Sequence, residues 1–148
     1  MTLEVSYYLE KFFKMVVFNY LFSNGDAHLK NFALLETANG DYILSPAYDL
    51  INTKIHVDDS AFALNKGLFK DKFQSKEKKK NGRVGLGDFL EFAKRIGIKD
   101  SRVDALLNPF LERQVLAESL ISRSFLNDQT KRGYKMNYEA RRNQLSRK

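Results

Sequence analysis

The 148-residue chain has no cysteine, no tryptophan, two prolines and two histidines. Without thiols it can build neither a disulfide framework nor a thiolate-ligated metal site. His28 and His56 alone are too few for a structural zinc centre. Long apolar runs are missing as well. The longest unbroken stretch of large apolar residues is Met15–Phe18, far short of the roughly 20 needed to cross a bilayer. Glu4 and Glu10 fall where a secretory leader would carry its basic end and apolar centre. These absences predict a soluble, cytoplasmic protein with no membrane partner.

Apolar material is plentiful: the hydrophobic fraction is 43%, with 12 Phe and 7 Tyr, which excludes a wholly disordered chain. The length suits one domain spanning 1–148. The net charge of +7 is unevenly placed. Lys66–Arg83 holds eight Lys/Arg against Asp71 and Glu77, and Lys131–Lys148 holds seven against Glu139. Such clusters can contact DNA phosphates by releasing counterions. They can equally be a solvated loop tip, at Gln74–Gly82, and a solvated helix face. Neither cluster comes with an aromatic stacking stretch, a zinc knuckle or a helix-turn-helix pattern.

Leu3–Phe22 reads as a helix from apolar residues recurring every three to four positions, with Lys11, Lys14 and Asn19 mostly opposite. Ser23-Asn24-Gly25-Asp26 stops it, Gly and Asn being the residues expected to take a left-handed backbone. Asn31–Glu36 and Tyr42–Pro46 are short apolar segments, and the Asn39-Gly40 pair in their five-residue connection signals a hairpin. Asp49–Ala63 reads as short extended pieces and turns, and Lys66–Arg83 as an exposed basic loop. Gly87–Ile96 is a helix that Gly97 ends. Arg102–Leu126 contains one or two helices, with Pro109 near a start or a break. The basic segment 127–148 is a surface helix at best. The fold class is α+β, predominantly α, with helices around one small hairpin.

The chemistry-bearing stretch is Asn24-Gly25-Asp26-Ala27-His28-Leu29-Lys30-Asn31, followed by the hairpin and then Tyr48-Asp49-Leu50. Asp26 and Asn31 are spaced as in the kinase loop D-x-x-x-x-N. Phosphoryl transfer needs a carboxylate to accept the proton of the attacking hydroxyl, a role for Asp26. It also needs hard oxygen ligands for Mg²⁺, which Asn31 and Asp49 can offer once a hairpin folds the chain back between them. Lys30 would face phosphoryl oxygens. Taken singly, each residue has a plainer reading: Asp26 as a turn residue or helix cap, His28 as a half-buried hydrogen-bonded side chain, Asp49 as a turn aspartate. The order N-x-D-x-H-x-K-N, hairpin, P-x-Y-D is what favours chemistry.

Residues 18–32, Phe-Asn-Tyr-Leu-Phe-Ser-Asn-Gly-Asp-Ala-His-Leu-Lys-Asn-Phe, with Leu44-Ser-Pro-Ala-Tyr-Asp-Leu50, resemble the C-terminal domain of HipA-like serine/threonine kinases. These are toxins of bacterial toxin–antitoxin modules linked to persistence. Weaker similarity continues through Asp88–Gly97 and Val115–Leu126. The resemblance implies a kinase-like C-lobe, with Asp26 as catalytic base and Asn31 and Asp49 holding Mg²⁺. It also implies that His28 and Lys30 order the loop and neutralise phosphate charge, with ATP as co-substrate and a protein Ser or Thr as acceptor. A full member carries a nucleotide-binding lobe before this helix. Here the helix follows Met1 almost at once, no Walker A motif is present, and Gly82-Arg83-Val84-Gly85-Leu86-Gly87 reads as a loop entering the next helix. The expectation is therefore a C-lobe without its N-lobe, inactive alone and paired with an N-lobe polypeptide or an antitoxin-like protein. The alternative is a catalytically silent module that binds such a partner or DNA.

Overall fold

The computed structural model describes residues 3–58, 60–63, 67–71 and 73–146. Six α-helices and one two-stranded antiparallel sheet make up the regular structure of these residues. Helix α1 (Leu3–Leu21) is the central element. Its Phe13, Val17, Tyr20 and Leu21 are buried at the i, i+4, i+7, i+8 spacing that puts side chains on one helix face. Phe13 is completely buried, stacked on Phe92 at 6.0 Å between ring centres and edge-on to Phe89 at 6.4 Å. Both partners belong to α3 (Leu86–Arg95). Helix α4 (Asp100–Leu111) adds Val103, Leu106 and Leu107 to the same core. Asn19, expected on the polar side of α1, is buried instead.

Helix α1 ends as its composition predicts, but through a different residue. Ser23, not Gly25 or Asn24, takes the left-handed backbone, with φ +59°. The reason is tertiary. The Ser23 carbonyl accepts hydrogen bonds from the Thr53 backbone at 3.1 Å and from the Thr53 hydroxyl at 3.2 Å, and these fix the conformation.

Strands β1 (Leu34–Glu36) and β2 (Tyr42–Leu44) pair as Leu34 with Leu44, Leu35 with Ile43 and Glu36 with Tyr42. The connection turns at Gly40, φ +79°, and a Thr37 N–H to Asp41 carbonyl bond of 2.8 Å closes it. Ser45 N–H donates to the Ala33 carbonyl, so the pairing extends to the hairpin's base. Lys11 of α1 donates to the Leu44 carbonyl at 2.8 Å and pins the hairpin to the helix.

The basic stretch 66–83 is not a simple loop; residues 66 and 72 lie outside the described set. Lys76–Asn81 forms a short helix, α2. Ser75 caps it by accepting from Lys78 N–H at 3.1 Å, and Gly82 closes it with φ +73°. The Ser75 hydroxyl also donates to Asp88 at 2.7 Å. The buried Asp88 carboxylate takes the Gly85 N–H too, at 3.0 Å, so the segment is anchored to the start of α3. The expected loop Gly82–Gly87 is shorter in the structure: Gly82 closes α2, Gly85 precedes α3, and Leu86 and Gly87 are already helical. Phe69, in the same stretch, is buried beneath the Arg95 guanidinium, 4.6 Å from its ring centre.

The 102–126 region resolves into α4 and α5 (Val115–Arg123). Pro109 lies inside α4, neither at its start nor at a break. The helix runs only two residues further, and Ala105, whose carbonyl the proline leaves unbonded, sits on an exposed turn. Helix α6 (Asp128–Leu145) is more than a surface helix. It buries Tyr138 and Leu145, and Tyr138 stacks on Phe22 at 5.0 Å. Its Gln144 amide oxygen lies 2.6 Å from the Tyr20 hydroxyl, and Arg141 donates to the Tyr20 carbonyl. Burial pushes the Tyr20 phenol up to about 12. No helix of the described residues is long and apolar enough to cross a membrane.

Candidate active site

Three segments meet beside the C-terminal end of α1: the loop Ser23–Asn31, which closes with a 3₁₀ turn at Leu29–Asn31, the base of the hairpin, and the stretch Tyr48–Thr53. Asn24 sits at their junction and is only 3% exposed. Its amide nitrogen donates to the Asn19 side chain at 2.9 Å and to the Asp49 carbonyl at 3.0 Å. Its amide oxygen accepts the Asp26 N–H at 3.2 Å. The Thr53 hydroxyl takes the Gly25 N–H at 2.9 Å while donating to Ser23. Asn19, Asn24 and Thr53, buried and uncharged, thus hold the loop through bonds to one another's side chains or to the backbone, which lowers the penalty of burying polar groups.

That scaffold brings the motif residues into two contacting pairs. The Asn31 amide nitrogen donates to the Asp49 carboxylate at 2.6 Å, although 18 positions separate them in sequence. Asn31 is buried and Asp49 exposed. Asp49 has φ +55°, an uncommon backbone for a residue with a side chain. Bonds to its carbonyl from Asn24 and to its carboxylate from Asn31 hold it there. In the second pair, His28 Nε2 lies 3.0 Å from the Asp26 carboxylate, with both side chains about half exposed. The Asn24 amide links the pairs, touching the Asp26 backbone on one side and Asp49 on the other. Lys30 is exposed, and it joins the cluster through its carbonyl, which accepts from the Tyr48 hydroxyl at 2.6 Å.

Among the described residues no group of three His, Cys, Asp or Glu could enclose a metal ion. Mg²⁺ ordinarily takes one or two protein oxygens and completes its shell with water and substrate phosphates. The Asn31–Asp49 pair fits that mode. With its nitrogen committed to Asp49, the Asn31 amide keeps its oxygen, and the Asp49 carboxylate keeps a second one.

Asn19 and Thr53 were not marked by the sequence pattern, and Asn24 and Tyr48 were part of it without a role. An asparagine interrupting the apolar last turns of α1 was the only available signal for Asn19. Thr53 acts across 28 to 30 positions, which no local spacing reveals.

The model of the HipA-like C-terminal domain matches residues 3–117, an interval that contains the whole cluster. The chain belongs to this family. It is 26% identical over 121 residues to a Haemophilus influenzae protein named "Putative kinase", covering 77% of this chain and 35% of that protein. It is 41% identical over 56 residues to "Putative kinase Y4dM" of Sinorhizobium fredii, covering 37% of this chain and 14% of that protein. The aligned region thus spans about a third of the first relative's length and less of the second's.

Proposed function

We propose that this HipA-like domain is the C-lobe of an ATP- and Mg²⁺-dependent protein serine/threonine kinase, a single domain across 1–148. The observation that carries the reading is the 2.6 Å contact between Asn31 and Asp49. It brings the Asn31 amide against the Asp49 carboxylate, two side chains that carry hard oxygens, in a family whose relatives include proteins named as kinases. Asp26 accepts the proton of the Ser or Thr hydroxyl as that oxygen bonds to the γ-phosphorus. The bond from phosphorus to the β–γ bridging oxygen breaks, and its electron pair leaves with ADP. Mg²⁺, when bound by Asn31 and Asp49, supplies charge neutralisation across the phosphates. His28 holds the Asp26 carboxylate in place, and Lys30 supplies positive charge to the transferred group.

The nucleotide's remaining contacts come from a separate lobe, corresponding to the part of the relatives outside the aligned region. Exposed Leu34 and Tyr42 on the hairpin and Tyr7 on α1 offer an apolar face for it. The resemblance and the positive charge of α2 and α6 support a toxin–antitoxin setting, with an antitoxin-like protein as partner and DNA near those two helices.

The test is calorimetry of Mg²⁺-ATP binding together with a phosphorylation assay, each with and without a polypeptide supplying the other lobe. With that lobe present, Asp26→Asn should abolish transfer and leave Mg²⁺-ATP binding within about twofold, since the base makes no ground-state contact. Asp49→Asn should weaken the metal-dependent part of binding. Wild-type behaviour of both variants, in an inactive pair, would leave the silent interaction module standing.

A further inference from the structure

Burial does little to hold Asp49 where it meets Asn31. Residues 46–50 are exposed and belong to no helix, strand or turn. The chain enters them from the hairpin, whose base is closed by the Ser45 N–H to Ala33 carbonyl bond, and at Asp49 it takes the left-handed backbone, φ +55°. An exposed run with that geometry relaxes to commoner angles unless its surroundings prevent it. Two hydrogen bonds that do so end on Asp49 itself, from Asn24 and from Asn31. A third comes from its neighbour. The Tyr48 hydroxyl donates to the Lys30 carbonyl at 2.6 Å, at the short end of the range for a hydroxyl donor.

The Tyr48 and Asn31 bonds are consecutive rungs. Lys30 meets Tyr48 and Asn31 meets Asp49, each across 18 positions. What the Tyr48 rung ends on matters as much as its length. The Lys30 carbonyl and the Asn31 N–H belong to one planar peptide group, and that N–H donates to the His28 carbonyl at 2.9 Å. The peptide is therefore held at both ends, and it leads directly into the Cα that carries the Asn31 amide. Tyrosine suits this task. Its ring is rigid and only two torsions separate it from the backbone, so little freedom is left once the hydroxyl is bonded.

We infer that Tyr48 is a positioning residue for the Asn31–Asp49 pair. Its hydroxyl sets the separation between the 3₁₀ turn at Leu29–Asn31 and the stretch that carries Asp49, and thereby how amide and carboxylate face each other. Tyr48 acts through the pair and is not itself a ligand. Its consequence for metal binding rests on the reading of that pair as the Mg²⁺ site; its hold on the pair does not.

The first readout needs neither metal nor nucleotide. In the isotope-labelled full-length chain, the nuclear magnetic resonance signals of the Asn31 side-chain amide report its bond to Asp49. Asp49→Gly, which tolerates the positive φ, marks where those signals fall once the carboxylate is gone. Tyr48→Phe keeps the ring, loses the hydroxyl, and should move the Asn31 signals part of the way to that mark. Because Tyr48 is 44% exposed, the thermal melt should stay close to wild type. Unmoved Asn31 signals would overturn the inference, and a shift confined to Tyr48→Leu, which lacks the ring as well, would do the same by assigning the effect to ring contacts. The second readout is a Mg²⁺ titration of the chain with ATP and the other lobe. Tyr48→Phe should weaken Mg²⁺ by about two- to tenfold, the effect of losing one net hydrogen bond, and leave metal-free ATP binding unchanged, which a general loosening would not. If Asp49→Gly abolishes the metal dependence while Tyr48→Phe keeps wild-type affinity, Tyr48 does not position the site and the inference fails. If neither variant changes it although the Asn31 signals have moved, the Mg²⁺ reading fails and Tyr48 stands as the residue that orders the pair.

Discussion

Along α1, two regions only a turn or so apart are buried to the same degree by opposite means. Phe13 and Val17 are buried among apolar rings and need only their volume. Asn19, Ser23 and Asn24 are buried at 6%, 2% and 3% exposure, but what they need is a specific partner at every polar atom. Apolar burial is non-directional and tolerates repacking. A buried polar network does not, because removing one member strands the others. The helix core can therefore vary while the loop beside it is fixed in angle and distance, and with it the backbone positions of Asp26 and Asp49.

The largest effect should come from the apolar side. Phe13→Ala removes a fully buried ring that touches two others and should cost about 3–5 kcal/mol in urea unfolding, whereas Phe13→Leu should cost much less. Equal losses from the two would mean that ring geometry, not volume, governs this core.

On the polar side, Asn24→Ala should cost about 1–3 kcal/mol by leaving Asn19, Asp49 and Asp26 each short of a bond. Asn24→Leu, which restores bulk but no polar atom, should not rescue it. Both should weaken Mg²⁺-ATP binding in proportion to their effect on Asp49, which Phe13→Leu should leave alone. If Asn24→Leu proved as stable as wild type, the contrast between the two regions would be erased.

This contrast also explains what could be read in advance. Helix α1, the hairpin and α3 were legible because each is declared locally, by a three-to-four period, by Asn39-Gly40 and by Gly97, whose φ of +86° ends α3. Asp26, His28, Asn31 and Asp49 stood out as a pattern of residue types, although their pairing needed the folded hairpin. Helix α2 was illegible because a lysine run has no apolar period, and its cap Ser75 is tied to Asp88 thirteen positions away. The burial of α6 rests on two residues, Tyr138 and Leu145, too few to mark a face. Thr53 acts through hydrogen bonds across 28 to 30 positions, outside any local window, whereas Asn19 bonds Asn24 only five positions on and showed just as a polar residue in an apolar helix end.

Ser75→Ala offers a smaller, intermediate case, since the site is polar yet far from the loop. It removes a helix cap and a bond to buried Asp88 and should cost about 1 kcal/mol or slightly more. Nucleotide binding should be unchanged. A loss of binding would show that the polar network of the loop extends further than its hydrogen bonds indicate.

The smallest expected effect lies on the surface, where neither kind of burial operates. Arg102 of α4 grips Glu10 of α1 through bonds of 2.8 and 3.0 Å, and this holds the Glu10 carboxyl below its ordinary value of 4.5. A carboxyl whose folded value is depressed stabilises the fold above its unfolded value. That contribution fades as pH falls through the folded one. Arg102→Gln should therefore lower the melting temperature slightly at neutral pH, because exposed pairs contribute little and are screened by salt. The gap between variant and wild type should shrink below pH 4.5 as Glu10 is protonated in both states of both proteins. A gap that persists in acid, or in high salt, would mean that Arg102 acts through packing of its stem between α1 and α4, placing it with Phe13 rather than with the polar groups.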